Sequence, residues 1–118
     1  MNSNTLGRLY KDGEIIIKQG EIGDCFYVIQ EGTVEVIDES GESEVIITEL
    51  GETEFFGEMG LFEKDVRSCT VRAKGEAKIL TMDKISLYKT IRQDPSLAFR
   101  MLEKMSHRLR ETTKIIRK

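Results

Sequence analysis

Proline is almost missing from this chain of 118 residues: there is one, against ten glycines. With 39% hydrophobic and 33% charged residues, such a composition excludes a low-complexity or disordered segment. Cysteine is scarce as well. Cys25 and Cys69 stand in separate segments without C-x-x-C spacing, which points away from a disulfide framework and toward reduced thiols in the cytoplasm. His107 is the only histidine, and a metal or haem role would need a ligand set that the sequence does not supply. No apolar run approaches the roughly 20 residues of a membrane helix, and the opening MNSNTLGRLY lacks a signal-peptide core. Catalytic groupings are absent too. Glu58 and Asp65 could be paired for hydrolysis, but no nucleophile, base or metal cluster accompanies them, so no enzyme activity is expected.

What is present fits one domain, residues 1–118, with a single modest core. The net charge of −3 conceals an asymmetry. Residues 100–118 hold seven Lys or Arg against two Glu, a net +5, which leaves −8 for residues 1–99. Interleaved with apolar positions and without aromatic stacking residues, these cations read as the solvated face of a helix and not as a nucleic-acid surface.

The first half reads as short strands. Residues 14–18, 26–31, 33–38 and 44–50 are rich in Ile, Val, Phe and Tyr, and glycine or Asx punctuation separates them at the spacing of a β-roll or jelly-roll. Glu31-Gly32 suggests a tight hairpin and residues 39–42 a longer one. Residues 69–74 and 78–82 suggest two more strands around a Gly75-Glu76 turn. The fold class is therefore mainly β with C-terminal α, the roll taking residues 8–83. Asp83 is placed to cap a helix over 84–93. Asp94-Pro95 then stops it and opens a long helix over 95–117. Along that helix Ala98, Leu102, Met105, Leu109, Thr112 and Ile116 fall at steps of four and three, a heptad seam suited to a partner helix and hence to a homodimer.

Residues 56–71, FGEMGLFEKDVRSCTV, carry the chemistry. A glycine-punctuated turn opening a short helix offers unpaired N–H groups and a positive dipole end to an anion. Gly57 permits close backbone approach, and Arg67 supplies a fork suited to phosphate. Glu58 would repel phosphate and suits ribose hydroxyls. Together these groups describe a nucleotide pocket.

The stretch resembles the phosphate-binding cassette of cyclic nucleotide-binding domains, F-G-E-x-(small)-L, a short insert, then R-(small)-(small)-(T/S)-V. It is most similar to the sensor domain of the catabolite activator branch of bacterial regulators, and the resemblance runs over about residues 9–116. It implies a non-catalytic regulatory module with no cofactor, whose ligand is cyclic AMP or, as the alternative, cyclic GMP. Gly57, Glu58, Met59, Gly60, Arg67 and Ser68 would hold phosphate and ribose, with Cys69 a small filler behind them. Thr112 and Thr113, from the two subunits of a dimer, would reach the exocyclic amine of adenine. Arg108 would stand near Glu58 and link the cassette to the dimer helix. Serine at 68 is what the catabolite activator branch carries with cyclic AMP, whereas threonine there accompanies guanine. Val36 and Ile47 are candidate apolar walls.

The resemblance also sets its alternatives. A degenerate member could serve as an interaction scaffold without ligand, although the intact Gly57, Glu58, Arg67 and Ser68 set speaks against it. With a short segment before the first strand and no DNA-binding domain expected in the chain, three origins remain open: a stand-alone sensor, a piece of a larger regulator, or a module of a kinase, transporter or channel. Arg67→Leu is expected to abolish binding without unfolding the chain, on the premise that Arg67 matters chiefly to a bound anion.

Overall fold

A computed structural model describes residues 7–58, 60 and 64–116, with the side chains of 65 and 112–116 outside that description. Eight strands precede two helices among these residues. They are β1 (Arg8–Tyr10), β2 (Ile15–Ile17), β3 (Ile22–Gly23), β4 (Phe26–Asp38), β5 (Val45–Leu50), β6 (Phe55–Phe56), β7 (Asp65–Val66) and β8 (Thr70–Met82). The helices are α1 (Lys84–Gln93) and α2 (Ser96–Ile116). The chain divides into two compact units, the strands up to Lys84 and the helical segment from Ile85.

All pairings are antiparallel. One sheet runs β1-β8-β4-β5, with β2 also on β8 and β6 also on β4, while β3 and β7 form a ribbon of their own. This is the mainly β architecture with helices at the C-terminal end that the sequence pattern predicts. Two expected turns do not exist, however. Glu31-Gly32 and Gly75-Glu76 both lie inside continuous strands of 13 residues. Between the pairs Glu31↔Lys78 and Thr33↔Lys74 the register shifts, so the two long strands bend together and neither reverses. Gly32 has φ +91° and Gly75 +74°. A Cβ on Gly32 would lie 2.4 Å from the Glu76 carbonyl oxygen, so glycine here serves close strand approach as well as backbone conformation.

The bulge also bears on the burial pattern. Ile29 and Val34 on β4 are five residues apart yet belong to one core, which strict alternation does not give and the register shift between them does; Phe26 and Ile37 are buried as well. Ile29 and Val34 pack with Val71, Ala73, Ala77 and Ile79 of β8 and Phe56 of β6, while Phe26 meets Phe55 edge-on with ring centres 6.3 Å apart. Thr70, fully buried, is satisfied on both counts: its Oγ1 accepts from Gln19 N–H and donates to Glu39.

In the helical unit, α1 spans the residues predicted for it. Asp94 then caps α2 as expected, its Oδ1 accepting from the Ser96 N–H at 3.2 Å and the Ser96 hydroxyl. Of the predicted seam along α2, Leu102, Met105 and Leu109 are exposed and Ala98 is half-buried, while the side chains of Thr112 and Ile116 lie outside the described residues; Phe99, not part of that seam, is exposed as well.

Candidate anion and nucleotide site

Arg67 follows the ribbon strand β7 and precedes β8, and its backbone is pinned from both sides. Its N–H donates to Glu21 O at 2.7 Å, and its carbonyl accepts from Gly20 N–H at 2.9 Å. The N–H is thereby committed to the fold and is not one of the amides a ligand would meet.

The side chain turns inward and is only 8% exposed. Nη1 donates to Gly57 O at 2.9 Å and Nη2 to Cys25 O at 2.8 Å. The guanidinium carbon stands 5.9 Å from the centre of the Tyr27 ring, which stacks on Phe56 at 5.1 Å and 13°. A guanidinium has five N–H donors. Two of them meet these carbonyls, so the group enters the site oriented and already withdrawn from water.

Glycines make room for it. Gly57 adopts φ +80°, and a Cβ there would meet Arg67 Nη1 and Ile17 at 3.1 Å. Gly60 is buried with helical backbone and donates its N–H to Gly57 O at 3.2 Å. A Cβ on Gly60 would lie 2.7 Å from Gly23 O. Tyr27 stands beside them, its Cδ1 3.3 Å from where a Cβ on Gly57 would lie. Burial, reinforced by the Cys25 thiol at 3.5 Å from its hydroxyl, pushes that hydroxyl well above the ordinary tyrosine range, against the opposing Arg67 charge.

The structure thus brings Gly57, Gly60 and Arg67 of the predicted set into one place. Glu58, half-buried, follows Gly57 directly. Ser68 is exposed and Cys69 half-buried in the bend just before β8, with Oγ and Sγ 4.0 Å apart. Arg108 is half-buried on α2 and belongs to the helical unit, whereas Glu58 belongs to the strand unit. Met59 and the side chains of Thr112 and Thr113 lie outside the described residues. Of the candidate walls, Val36 is half-buried against the core and Ile47 is exposed on β5.

One expectation needs correction. Arg67 is not reserved for a bound anion, because two of its donors bond the Gly57 and Cys25 carbonyls within the fold. Cys25, Tyr27 and Gly23 were not predicted as site residues. Gly23-Asp24 reads as turn punctuation, and Tyr27 as one member of an alternating run. What links them to Arg67 and Gly57 is the β3–β7 register, Ile22↔Val66 and Gly23↔Asp65, and the β4–β6 pair Tyr27↔Phe56, in strands of which β3, β6 and β7 are too short for sequence pattern to find.

Comparison with known proteins agrees with this geometry. A family model described as "Cyclic nucleotide-binding domain" matches residues 7–94. The chain is 41% identical over 76 residues to a cAMP-dependent protein kinase regulatory subunit of Schizosaccharomyces pombe, covering 64% of this chain and 18% of that protein. The chain therefore spans about a fifth of that relative's length. Among solved structures it is similar to the catabolite activator protein of Thermus thermophilus, with TM-score 0.80 and 28% identity over 97% of this chain and 55% of the other. It is also similar to a global regulator of Xanthomonas campestris described as c-di-GMP responsive, with TM-score 0.77 and 25% identity over 94% and 58%.

Proposed function

The chain belongs to the cyclic nucleotide-binding domain family, and we propose that it is a regulatory sensor for cyclic AMP that signals through α2 as a dimer. The observation that carries the reading is the Arg67 guanidinium, buried among glycines with its orientation fixed by two carbonyls. Its remaining donors suit the two exocyclic oxygens of a cyclic phosphodiester. Glu58, next along the chain from Gly57, takes the ribose 2′-hydroxyl, and Ser68 adds a hydroxyl at the phosphate side. Relatives named as cAMP-dependent kinase regulatory subunits favour adenine over guanine.

The dimer rests on α2, whose exposed Leu102, Met105 and Leu109 share one face at heptad spacing. Phe99, Leu102, Glu103, Ser106, His107 and Arg110 line an open depression on the same helix. In the bound dimer, Thr112 and Thr113 meet the adenine amine, and Arg108 couples α2 to Glu58. Ligand then favours the helix arrangement that presents these groups. The two free thiols, Cys25 and Cys69, suit a reducing compartment such as the cytoplasm.

A thermal-shift series tests the reading, with cyclic AMP, cyclic GMP, cyclic di-GMP and linear AMP as ligands. At a hundredfold excess over its dissociation constant, a true ligand adds about 2.7 kcal/mol of stability. Cyclic AMP is expected to give the largest shift and linear AMP none. No shift with any cyclic nucleotide would leave a dimerisation scaffold as the better account.

A further inference from the structure

We infer that Gly23 is the positioning residue for the Arg67 guanidinium, and through it sets the affinity of the site for an anion. The steric observation is direct. A Cβ placed on Gly23 would stand 2.1 Å from Arg67 Nε and 2.2 Å from both Cζ and Nη2. Three atoms of one planar group at nearly equal distance mean that the guanidinium presents its face, and not its edge, to the place a Gly23 Cβ would take. No side chain larger than hydrogen fits between the two residues.

Glycine is needed at 23 for space and not for backbone conformation. Gly13, Gly20, Gly32, Gly57 and Gly75 have positive φ and Gly23 does not. Alanine at 23 is therefore compatible with the local chain, and its whole effect falls on what lies above it.

A guanidinium is the far end of a flexible side chain and can swing aside. What it cannot do is swing aside and keep its contacts. Moving from 2.2 Å to an ordinary van der Waals separation takes more than 1 Å, against bonds of 2.9 Å to Gly57 O and 2.8 Å to Cys25 O. Both bonds break or bend out of range. The Tyr27 ring stands 5.9 Å from the guanidinium carbon, and a Cβ on Gly60 would already lie 2.7 Å from Gly23 O and 3.0 Å from Arg67 Nη1, so the surroundings leave little slack. The glycine on β3 and the arginine after β7 meet because those strands pair, which places Gly23 one register step from Val66.

The affinity part of this inference rests on the cyclic nucleotide reading; the placement part does not. A four-member cycle separates them: wild type, Gly23→Ala, Arg67→Ala and the double variant, each unfolded in urea without ligand. A stabilising osmolyte is present throughout, should a single variant otherwise fail to fold. Gly23→Ala is expected to lower the midpoint when arginine is present at 67. In the Arg67→Ala background it should leave the midpoint unchanged or raised, because the methyl fills vacated space. Equal losses in both backgrounds would overturn the inference, since a purely structural role for Gly23 does not depend on residue 67. Cyclic AMP titration by calorimetry supplies the second readout. A folded Gly23→Ala protein should bind about 10- to 100-fold more weakly, the loss of one to two decades expected when a charge-assisted contact is misplaced. Wild-type affinity in that variant would likewise overturn it. Failure of wild type to bind would sink the ligand reading alone, with the urea cycle still deciding on Gly23.

Discussion

Replacing Arg67 with leucine should cost stability as well as binding, and the structure sets the amount. The variant removes a donor from Gly57 O and another from Cys25 O. Gly57 O keeps the longer bond from the Gly60 N–H, so the heavier loss falls at Cys25. A hydrogen bond to a charged group contributes about 1.5–3 kcal/mol, and a cation held near a ring at the outer limit of distance adds about 0.5 kcal/mol. At 8% exposure the guanidinium is little screened by solvent. With leucine recovering some apolar burial, the net loss comes to about 2–4 kcal/mol. Against the roughly 5–15 kcal/mol of a domain this size, that is enough to confuse unfolding with lost affinity. Arg67→Lys keeps the charge and can reach one carbonyl, so it should lose about half as much and is the better variant for binding studies. Urea titration of all three proteins, at unchanged m-value, checks the ordering. If Arg67→Leu stayed within about 0.5 kcal/mol of wild type, the range of an inert surface change, the two carbonyls would not depend on the guanidinium. The site's assembly as argued above would then be wrong.

Other outcomes follow from features away from the guanidinium. Thr53 carries φ 71°, a left-handed conformation that costs a β-branched residue about 1–2 kcal/mol. After the entropy that glycine adds to the unfolded chain, Thr53→Gly should raise the calorimetric Tm by about 2–5 °C, and a fall would show the conformation to be unstrained. Three carboxyls lie below their ordinary range: Asp38 through Ser40, Glu39 through Thr70 and then Lys18, and Asp94 through Ser96. A depressed folded pKa stabilises above the unfolded value, near 4, and that contribution fades as pH falls through the folded values. The urea midpoint should therefore drop on acidification from about pH 5 to about pH 2, more shallowly in Thr70→Val than in wild type; parallel slopes would remove the Thr70–Glu39 bond as the cause. Leu102 and Leu109 are 65% and 69% exposed on α2, and the double change to glutamate should convert a two-copy species to one copy in sedimentation velocity. A wild-type protein that sediments as a single copy would refute the dimer.

How much of this was legible in the sequence depends on the range over which each feature is determined. The helices were, because Asp94-Pro95 and the heptad spacing are local signals and the α2 cap formed as written. The strand-rich class was also, through β-branched runs. The two false turns came from reading positive-φ glycine as reversal. Whether Gly32 bends or reverses the chain depends on whether its partner strand continues past it, and β8 does, a fact that no local window contains. β1, β3, β6 and β7 are two or three residues each, too short to carry a period, and exist because longer neighbours or each other supply the ladder. The site splits along the same line. Gly57, Gly60 and Arg67 are close in sequence and could be grouped by motif. Gly23, Cys25 and Tyr27 come from about 40 residues earlier and join them only through the β3–β7 and β4–β6 pairings.

That split has a thermodynamic meaning. An arginine on a mobile surface loop must shed water and lose side-chain freedom when an anion arrives, and both losses come out of the binding free energy. Here the fold has met those costs beforehand. Gly23 clears the space, and the Gly57 and Cys25 carbonyls replace two waters and fix the plane. The expense appears as the stability at stake in Arg67→Leu, and as glycines at positions where alanine would otherwise strengthen the chain. A site assembled this way should bind a rigid cyclic phosphodiester far better than a linear phosphate of equal charge, because the donors are set for one orientation and do not follow the ligand. Linear AMP carries more negative charge than the cyclic compound, so its expected lack of a thermal shift would place shape ahead of charge in this pocket. Equal shifts from the two would instead mean a plain electrostatic well, and the preorganised guanidinium would then confer no selectivity.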